Sequence, residues 1–471
     1  MEKTHSRREF VKAAVAGLGG VLAAGRHGNA LGAEPPAAGR RPNVIVILAD
    51  DMGYSDAGFT GCEDIPTPHL DSLARHGVRF TSGFVSHPFC SPTRAGLLTG
   101  RYQQRFGHEN NPRFDPSDHK AGLPLTETTL PQVLKQAGYV TGIVGKWHLG
   151  AAPEFHPLRR RFDEQFGFVG GGHDYFKANP AGETREYLIP IERNGQPVVE
   201  TEYLTDAFSR EAAAFVRRHA EGKPFFLYLA YNAPHTPLQV PDKYLARFAR
   251  IEDPTRRSFA AMMSALDDGV GLLLATLREL KLESDTLVFF LSDNGGATRS
   301  GATNGILRGA KGSCYEGGIR VPFVAQWRGR LPEGKDYPHP VISLDLFATA
   351  AALAGAQAPA DRKMDGVDLL PHVLGEKAGP PHERLFWRTG GGASYAVREG
   401  RWKIVKTGLG DPMLYDLETD VRETTNVADQ HPDVLKRLLA AYDAWSKELA
   451  PPLFESPASA PPRKKGPGRR K

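Results

Sequence analysis

The chain is expected to fold as an α/β protein: a large, mostly parallel sheet flanked by helices, with a smaller C-terminal antiparallel sheet plus a helix. Three observations predict this. Four short apolar runs, at Asn43–Ala49, 140–144, 225–231 and 286–291, are nearly continuous rather than alternating, the pattern of strands buried on both faces. Helical segments at 68–76, 129–137, 203–219 and 256–280 lie between them, and strands alternating with helices argue for a parallel sheet. Beyond about residue 375 the runs become shorter and are joined by glycine-containing turns.

Each remaining element follows from its own pattern. A strand is expected at 321–327, after a glycine-rich loop, and a helix at 344–354. Short strands are expected at 385–388, 394–398, 402–406 and 413–417, with Glu399-Gly400-Arg401 forming a hairpin turn. A last helix, at about 431–449, sets Leu435, Leu438, Leu439 and Tyr442 on one face. The expected organisation is a leader over residues 1–33, a main α/β domain over 42–374, an α+β subdomain over 375–450 and a disordered, basic, proline-rich tail over 451–471. No internal repeat is visible.

Length and composition fit this plan. A chain of 471 residues exceeds one typical domain, and 40% hydrophobic with 24% charged residues is a globular composition. The net charge of +5 is concentrated at the two ends. Residues 463–471 carry six positive charges and residues 1–33 a net three, which leaves the body between them at −4. No nucleic-acid-binding face is implied.

The first residues read as an export signal. Ser6-Arg7-Arg8-Glu9-Phe10-Val11-Lys12 resembles the twin-arginine motif and precedes a weakly apolar stretch rich in Ala and Gly, with cleavage expected after Ala30 or Ala33. That stretch is too short and glycine-rich to span a bilayer, and no other apolar run is expected to do so. A soluble protein outside the cytoplasm, periplasmic or secreted, with no stable membrane insertion, is the expectation.

Ligands of open α/β sheets bind beyond the carboxyl ends of the strands, and each of the four buried runs is followed at once by polar residues. Asp50-Asp51 follow the first, Lys146 and His148 the second, Asn232 and His235 the third, Asp293-Asn294 the fourth. One such residue is ordinarily a cap or a structural hydrogen-bonding group. Four clusters at one sheet edge are a site. Asp50, Asp51, Asp293 and Asn294 offer hard oxygen ligands, which suit calcium, with magnesium the alternative, rather than zinc. Three carboxylates held together would repel without a cation between them. Lys146, His148, His235 and Lys311 add donors for a bound anion.

The remaining signal is Cys90-Ser91-Pro92-Thr93-Arg94, which runs on to Leu97-Leu98-Thr99-Gly100-Arg101. Alone, Cys90 has several readings: a disulfide half, a zinc ligand, a phosphatase-type thiolate or an inert buried thiol. An odd count of three cysteines and the absence of neighbouring ligands weaken the first two. In phosphatase-type sites the arginine lies further on than Arg94. The segment resembles the signature of type I, formylglycine-dependent sulfatases, in the alkaline-phosphatase-like superfamily. Cys90, Pro92, Arg94 and Thr99-Gly100-Arg101 match, and Thr93 stands where Ser is commoner.

The resemblance extends from Pro42 to about Leu449 and implies an arylsulfatase-like hydrolase of sulfate monoesters. It implies that Cys90 is oxidised to formylglycine by a maturation enzyme and hydrated, and that residue 90 also faces the metal. Asp50, Asp51, Asp293 and Asn294 inherit the calcium. Arg94 and Lys146 would hold the hydrate, and His148 would take the proton whose loss expels sulfate. His235 and Lys311 would grip sulfate and protonate the leaving oxygen. A sulfated carbohydrate is the expected substrate, with small aryl sulfates as side substrates. The alternatives are a phosphoesterase of the same superfamily, although the Asp and His set of a two-zinc centre is lacking, and a non-catalytic binder of sulfated glycans. His108, Asn110, His173 and Asp174 are further loop candidates for substrate contact, and Cys62 with Cys314 are candidates for a disulfide.

Overall fold

The structure, a computed structural model, describes residues 41–177 and 186–455. The expected leader lies outside the described residues, as does the tail beyond residue 455.

A ten-stranded sheet dominates. Its order is Lys335–Tyr337, Val78–Phe80, Phe323–Gln326, Thr286–Ser292, Asn43–Ala49, Phe225–Ala230, Val140–Lys146, Glu164–Phe168, Ile191–Arg193 and Gln196–Val198. The five strands from Thr286–Ser292 to Glu164–Phe168 run parallel, and Phe323–Gln326 and Ile191–Arg193 pair antiparallel at either side. All four runs read as buried strands are there. Val78–Phe80, Glu164–Phe168 and the other short strands toward the edges were not expected. Too short to show a period, they are placed by pairing.

Alternation along Asn43–Ala49 builds two cores. Ile45, Ile47 and Ala49 pack with the helices Leu204–Arg218 and Pro254–Glu279. Val44, Val46 and Leu48 pack on the other face with residues of Cys90–Thr99, Leu130–Gln136 and Asp345–Leu353. Side chains along a strand point alternately to opposite faces, so a continuous apolar run serves both. Pro254–Glu279 is long and apolar enough to cross a membrane, contrary to the expectation that no such run exists outside the leader. Its most apolar window is 78% buried within the protein, and that burial accounts for the composition.

The C-terminal strands Arg384–Thr389, Ser394–Glu399, Trp402–Lys406 and Met413–Asp416 form an antiparallel meander. Leu438, Tyr442 and Trp445 of the helix Pro432–Ser446 share its core with Phe84, Tyr102 and Ile319 of the main body. Trp387 Nε1 donates to the Val85 carbonyl at 2.7 Å, tying the two together. Residues 450–453 continue into hydrogen bonds with Gln104 and Gly107.

Candidate active site

Register brings the loops to one level. Leu48 pairs with Ala230, Ala49 with Ser292, and Gly145 with Ala230, so the four strands end together. Two backbone bonds extend the match past the ladders: Asp50 N–H to Ala233 O and Asp293 N–H to Ala49 O, both 3.0 Å. Gly145, at φ +109°, makes the approach possible, because a Cβ there would sit 2.0 Å from Ala230 O. All ten residues expected in the site converge at this edge.

The carboxylates and cations interlock. Lys146 Nζ donates to Asp50 Oδ2 at 2.6 Å, and Lys311 Nζ lies 2.6 Å from Asp51 Oδ1. Arg94 Nη2 donates to Asp293 Oδ2 at 2.7 Å, while its Nη1 donates to Lys146 O at 3.0 Å. Asn294 Nδ2 donates to Asp51 Oδ1 at 2.8 Å. His235 Nδ1 lies 2.6 Å from Thr236 O, which leaves Nε2 facing Asp51 at 3.7 Å.

Cys90 opens the helix Cys90–Thr99, where the Ser91 N–H donates to Asn111 Oδ1 at 3.1 Å. Arg94 lies four residues on, hence on the same face, and is wholly buried. Pro92 is tolerated because the first turn needs no donor from it, and Gly100, at φ +67°, closes the helix. One ligand atom each from Asp50, Cys90 and Asp293 lie within 4.8 Å of one another. Burial pushes the Cys90 thiol up, which disfavours the thiolate and makes it a poor nucleophile as encoded.

Burial pushes His148 well below its usual range, and the nearby Lys146 and Arg94 push the same way. Burial also lowers His235, to about 4, against the opposing pull of Asp51. Both imidazoles are therefore neutral near pH 7. Burial works against the charge on Lys311, but Asp51 outweighs it and holds the ammonium well above its ordinary value. Asp293 is raised to about 6 by burial and by Asp50, with Arg94 opposing.

The donor set fits a hard divalent cation. Asp50 Oδ1 and Asn294 Oδ1 are buried acceptors without a hydrogen-bond partner, in a cluster that also holds Asp51 and Asp293. Buried oxygens of this kind are ordinarily satisfied, and four oxygen ligands with no thiolate set suit calcium or magnesium. A cavity of about 740 Å³ lies elsewhere: its walls, including Pro338, His382 and Arg398, share no residue with the cluster.

The loop candidates divide from the site. His108 is buried and receives or donates a 2.7 Å bond at Ser91 Oγ, whose hydroxyl also lies 2.6 Å from His148 O. It braces the Cys90 helix from behind. Asn110 donates to Phe454 O at 2.8 Å. His173 has both ring nitrogens on backbone carbonyls, of Asp174 and Ile189, and Asp174 accepts from Gln239 and two backbone N–H groups. Each of these four side chains is hydrogen-bonded within the protein. Cys62 and Cys314 are not paired; all three cysteines are free. Two neighbours escaped sequence reasoning: Glu186 and Tyr187, beside His148 and His235, sit in an irregular loop without a periodic or motif signal.

Comparison with known proteins identifies the family. A family model described as Sulfatase matches residues 42–356. The N-acetylgalactosamine-6-sulfatase of Canis lupus familiaris is 37% identical over 397 residues, covering 80% of this chain and 73% of that protein. Arylsulfatase A of Bos taurus is 35% identical over 455 residues, covering 86% and 87%. The crystal structure of Ps i-CgsB in complex with k-i-k-neocarrahexaose superimposes with a TM-score of 0.84 at 39% identity, covering 88% of this chain and 94% of that one. The chain belongs to the sulfatase family and is a sulfuric ester hydrolase.

Proposed function

We propose that the chain hydrolyses a sulfate monoester on a carbohydrate, using a formylglycine made from Cys90 and a divalent cation, calcium ahead of magnesium. The observation that carries this reading is the grouping of Asp50, Cys90 and Asp293 ligand atoms within 4.8 Å, walled by Arg94 and Lys146. Relatives named for N-acetylgalactosamine-6-sulfatase activity and a neighbour holding a carrageenan oligosaccharide support the carbohydrate.

As a hydrated aldehyde, residue 90 supplies one hydroxyl to attack sulfur and a second whose deprotonation releases sulfate. The cation would be held by Asp50, Asp51, Asp293 and Asn294 and would polarise a sulfate oxygen. Arg94 and Lys146 hold residue 90, and Lys146 with Lys311 offers ammonium donors to the sulfate. His148, kept neutral by burial, takes the proton of the second hydroxyl. Lys311 is charged throughout the neutral range and supplies a proton to the departing alkoxide, with the neutral His235 beside it.

The α/β domain, residues 42–374, carries all of these groups, and residues 375–450 brace it. The twin-arginine pattern at residues 6–12 supports export. Replacing Arg7 and Arg8 by Lys should cut the exported fraction sharply in a cell fractionation.

Mass spectrometry of the tryptic peptide 80–94 tests the central step. After co-expression with a formylglycine-generating enzyme, the peptide should carry an aldehyde, and Cys90→Ala should abolish sulfate release. A full-rate enzyme with an intact thiol would refute the reading. Rates on matched aryl sulfate and aryl phosphate esters separate a sulfatase from a phosphoesterase.

A further inference from the structure

Among the described residues, seven other than glycine have positive φ, and three of them converge on one pocket: Asp51 at 70°, His148 at 58° and Tyr187 at 75°. A bulky residue in this region is strained, and such strain clusters at functional sites. Asp51 and His148 already have roles. Tyr187 does not.

Its surroundings say what it does. The Tyr187 ring lies nearly parallel to the His235 imidazole, with centroids 6.4 Å apart and planes 26° apart. Gly172 makes room for that ring, since a Cβ there would meet Tyr187 Cε1 at 2.4 Å. One residue earlier in the chain, Glu186 reaches the same pocket from the side of His148. A Cβ on Gly171 would lie 2.7 Å from His148 Nε2 and 3.1 Å from Glu186 Oε1. Two consecutive glycines therefore let His148, Glu186 and Tyr187 close in against the backbone at one place. Tyr187 is half-buried and Glu186 exposed, so this side of the cluster faces solvent.

We propose that Glu186 and Tyr187 form the subsite for the sugar ring bearing the ester, and that the Glu186 carboxylate selects rings with no second anion. The inference rests on the carbohydrate reading above and deepens it. A half-buried aromatic ring offers a flat apolar face to the C–H side of a pyranose. A carboxylate at that height accepts hydrogen bonds from ring hydroxyls or an amide N–H and repels a neighbouring sulfate. Lys146 and Arg113 are the cations nearest in effect to Glu186. Lys146 already pairs with Asp50, so the repulsion is only partly offset.

The test uses the matured enzyme and two sugars, galactose and N-acetylgalactosamine, each as its 6-sulfate and its 4,6-disulfate. Wild type should favour the monosulfate in kcat/KM by at least tenfold. Glu186→Gln, nearly isosteric, should shrink that ratio about tenfold by raising the disulfate rate. Tyr187→Ala should lower kcat/KM for the monosulfate about tenfold, mainly through KM, while Tyr187→Phe stays within threefold. An unchanged ratio in Glu186→Gln, or Tyr187→Ala matching wild type, overturns the subsite. A wild type that cleaves aryl sulfate but no member of this panel or of a set of carrageenan oligosaccharides overturns the carbohydrate reading itself.

Discussion

Lys146 Nζ donates to Asp50 Oδ2 across 2.6 Å, and neither side chain has any exposed surface. Each charge is neutralised only by its neighbours, so removing one partner strands the other. Lys146→Met should cost about 3–5 kcal/mol of stability, the usual penalty for an orphaned buried charge. Urea denaturation checks it, and a variant as stable as wild type would show that Asp50 is compensated elsewhere.

Divalent cation should stabilise the fold, because the ligands are assembled only in the native state. Calcium at a hundred times its dissociation constant adds about 2.7 kcal/mol. Thermal melts in calcium and in chelator measure this, and Asn294→Ala should shrink the difference. Equal melting temperatures in both buffers for wild type would argue against a cation here.

His382 gives a pH signature independent of the catalytic centre. Its Nε2 lies 2.8 Å from Asp345 Oδ1, and although burial opposes the charge, Asp345 holds the imidazole above its ordinary 6.5. The folded value is the higher one, so this contribution is fully present below pH 6.5 and is lost as pH rises through the folded value. His382→Gln should therefore lose more stability at pH 6 than at pH 8.5. Denaturation at the two pH values decides; an equal loss at both would remove the linkage.

Gly171→Ala should leave stability within about 1 kcal/mol yet damage turnover. Its new methyl meets side-chain atoms of His148 and Glu186 rather than backbone, and these can move aside. A His148 displaced even slightly is a poorer base, so kcat should fall at least tenfold. Steady-state kinetics with unchanged kcat would show that the imidazole is not held where it acts.

The C-terminal sheet reaches the site through Lys403. Its buried ammonium lies 2.8 Å from both Glu316 Oε1 and Glu423 Oε1, while Arg308 donates to Glu423 O at 2.6 Å. Arg308 and Glu316 bracket the loop that carries Lys311. Lys403→Met should destabilise by about 3 kcal/mol or more and lower activity on every ester alike. Selective loss on one substrate would contradict a purely bracing role.

Much of this was legible in the chain itself. Continuous apolar runs marked the four central strands because a strand buried on both faces cannot afford polar residues. The acidic, basic and imidazole residues that follow them, together with the Cys90–Arg101 signature, marked the site because each is tied to a strand end or a helix start by local sequence. Tertiary structure alone decided the rest. Strands such as Val78–Phe80 and Ile191–Arg193 are too short for a period and exist only by pairing. His108 and His173 stand in loops without a period, and only the fold shows their bonds to Ser91 and to the Asp174 and Ile189 carbonyls. Glu186 and Tyr187 reach the pocket from a loop without pattern, since what brings them there is the room left by Gly171 and Gly172, and empty space has no letter in a sequence.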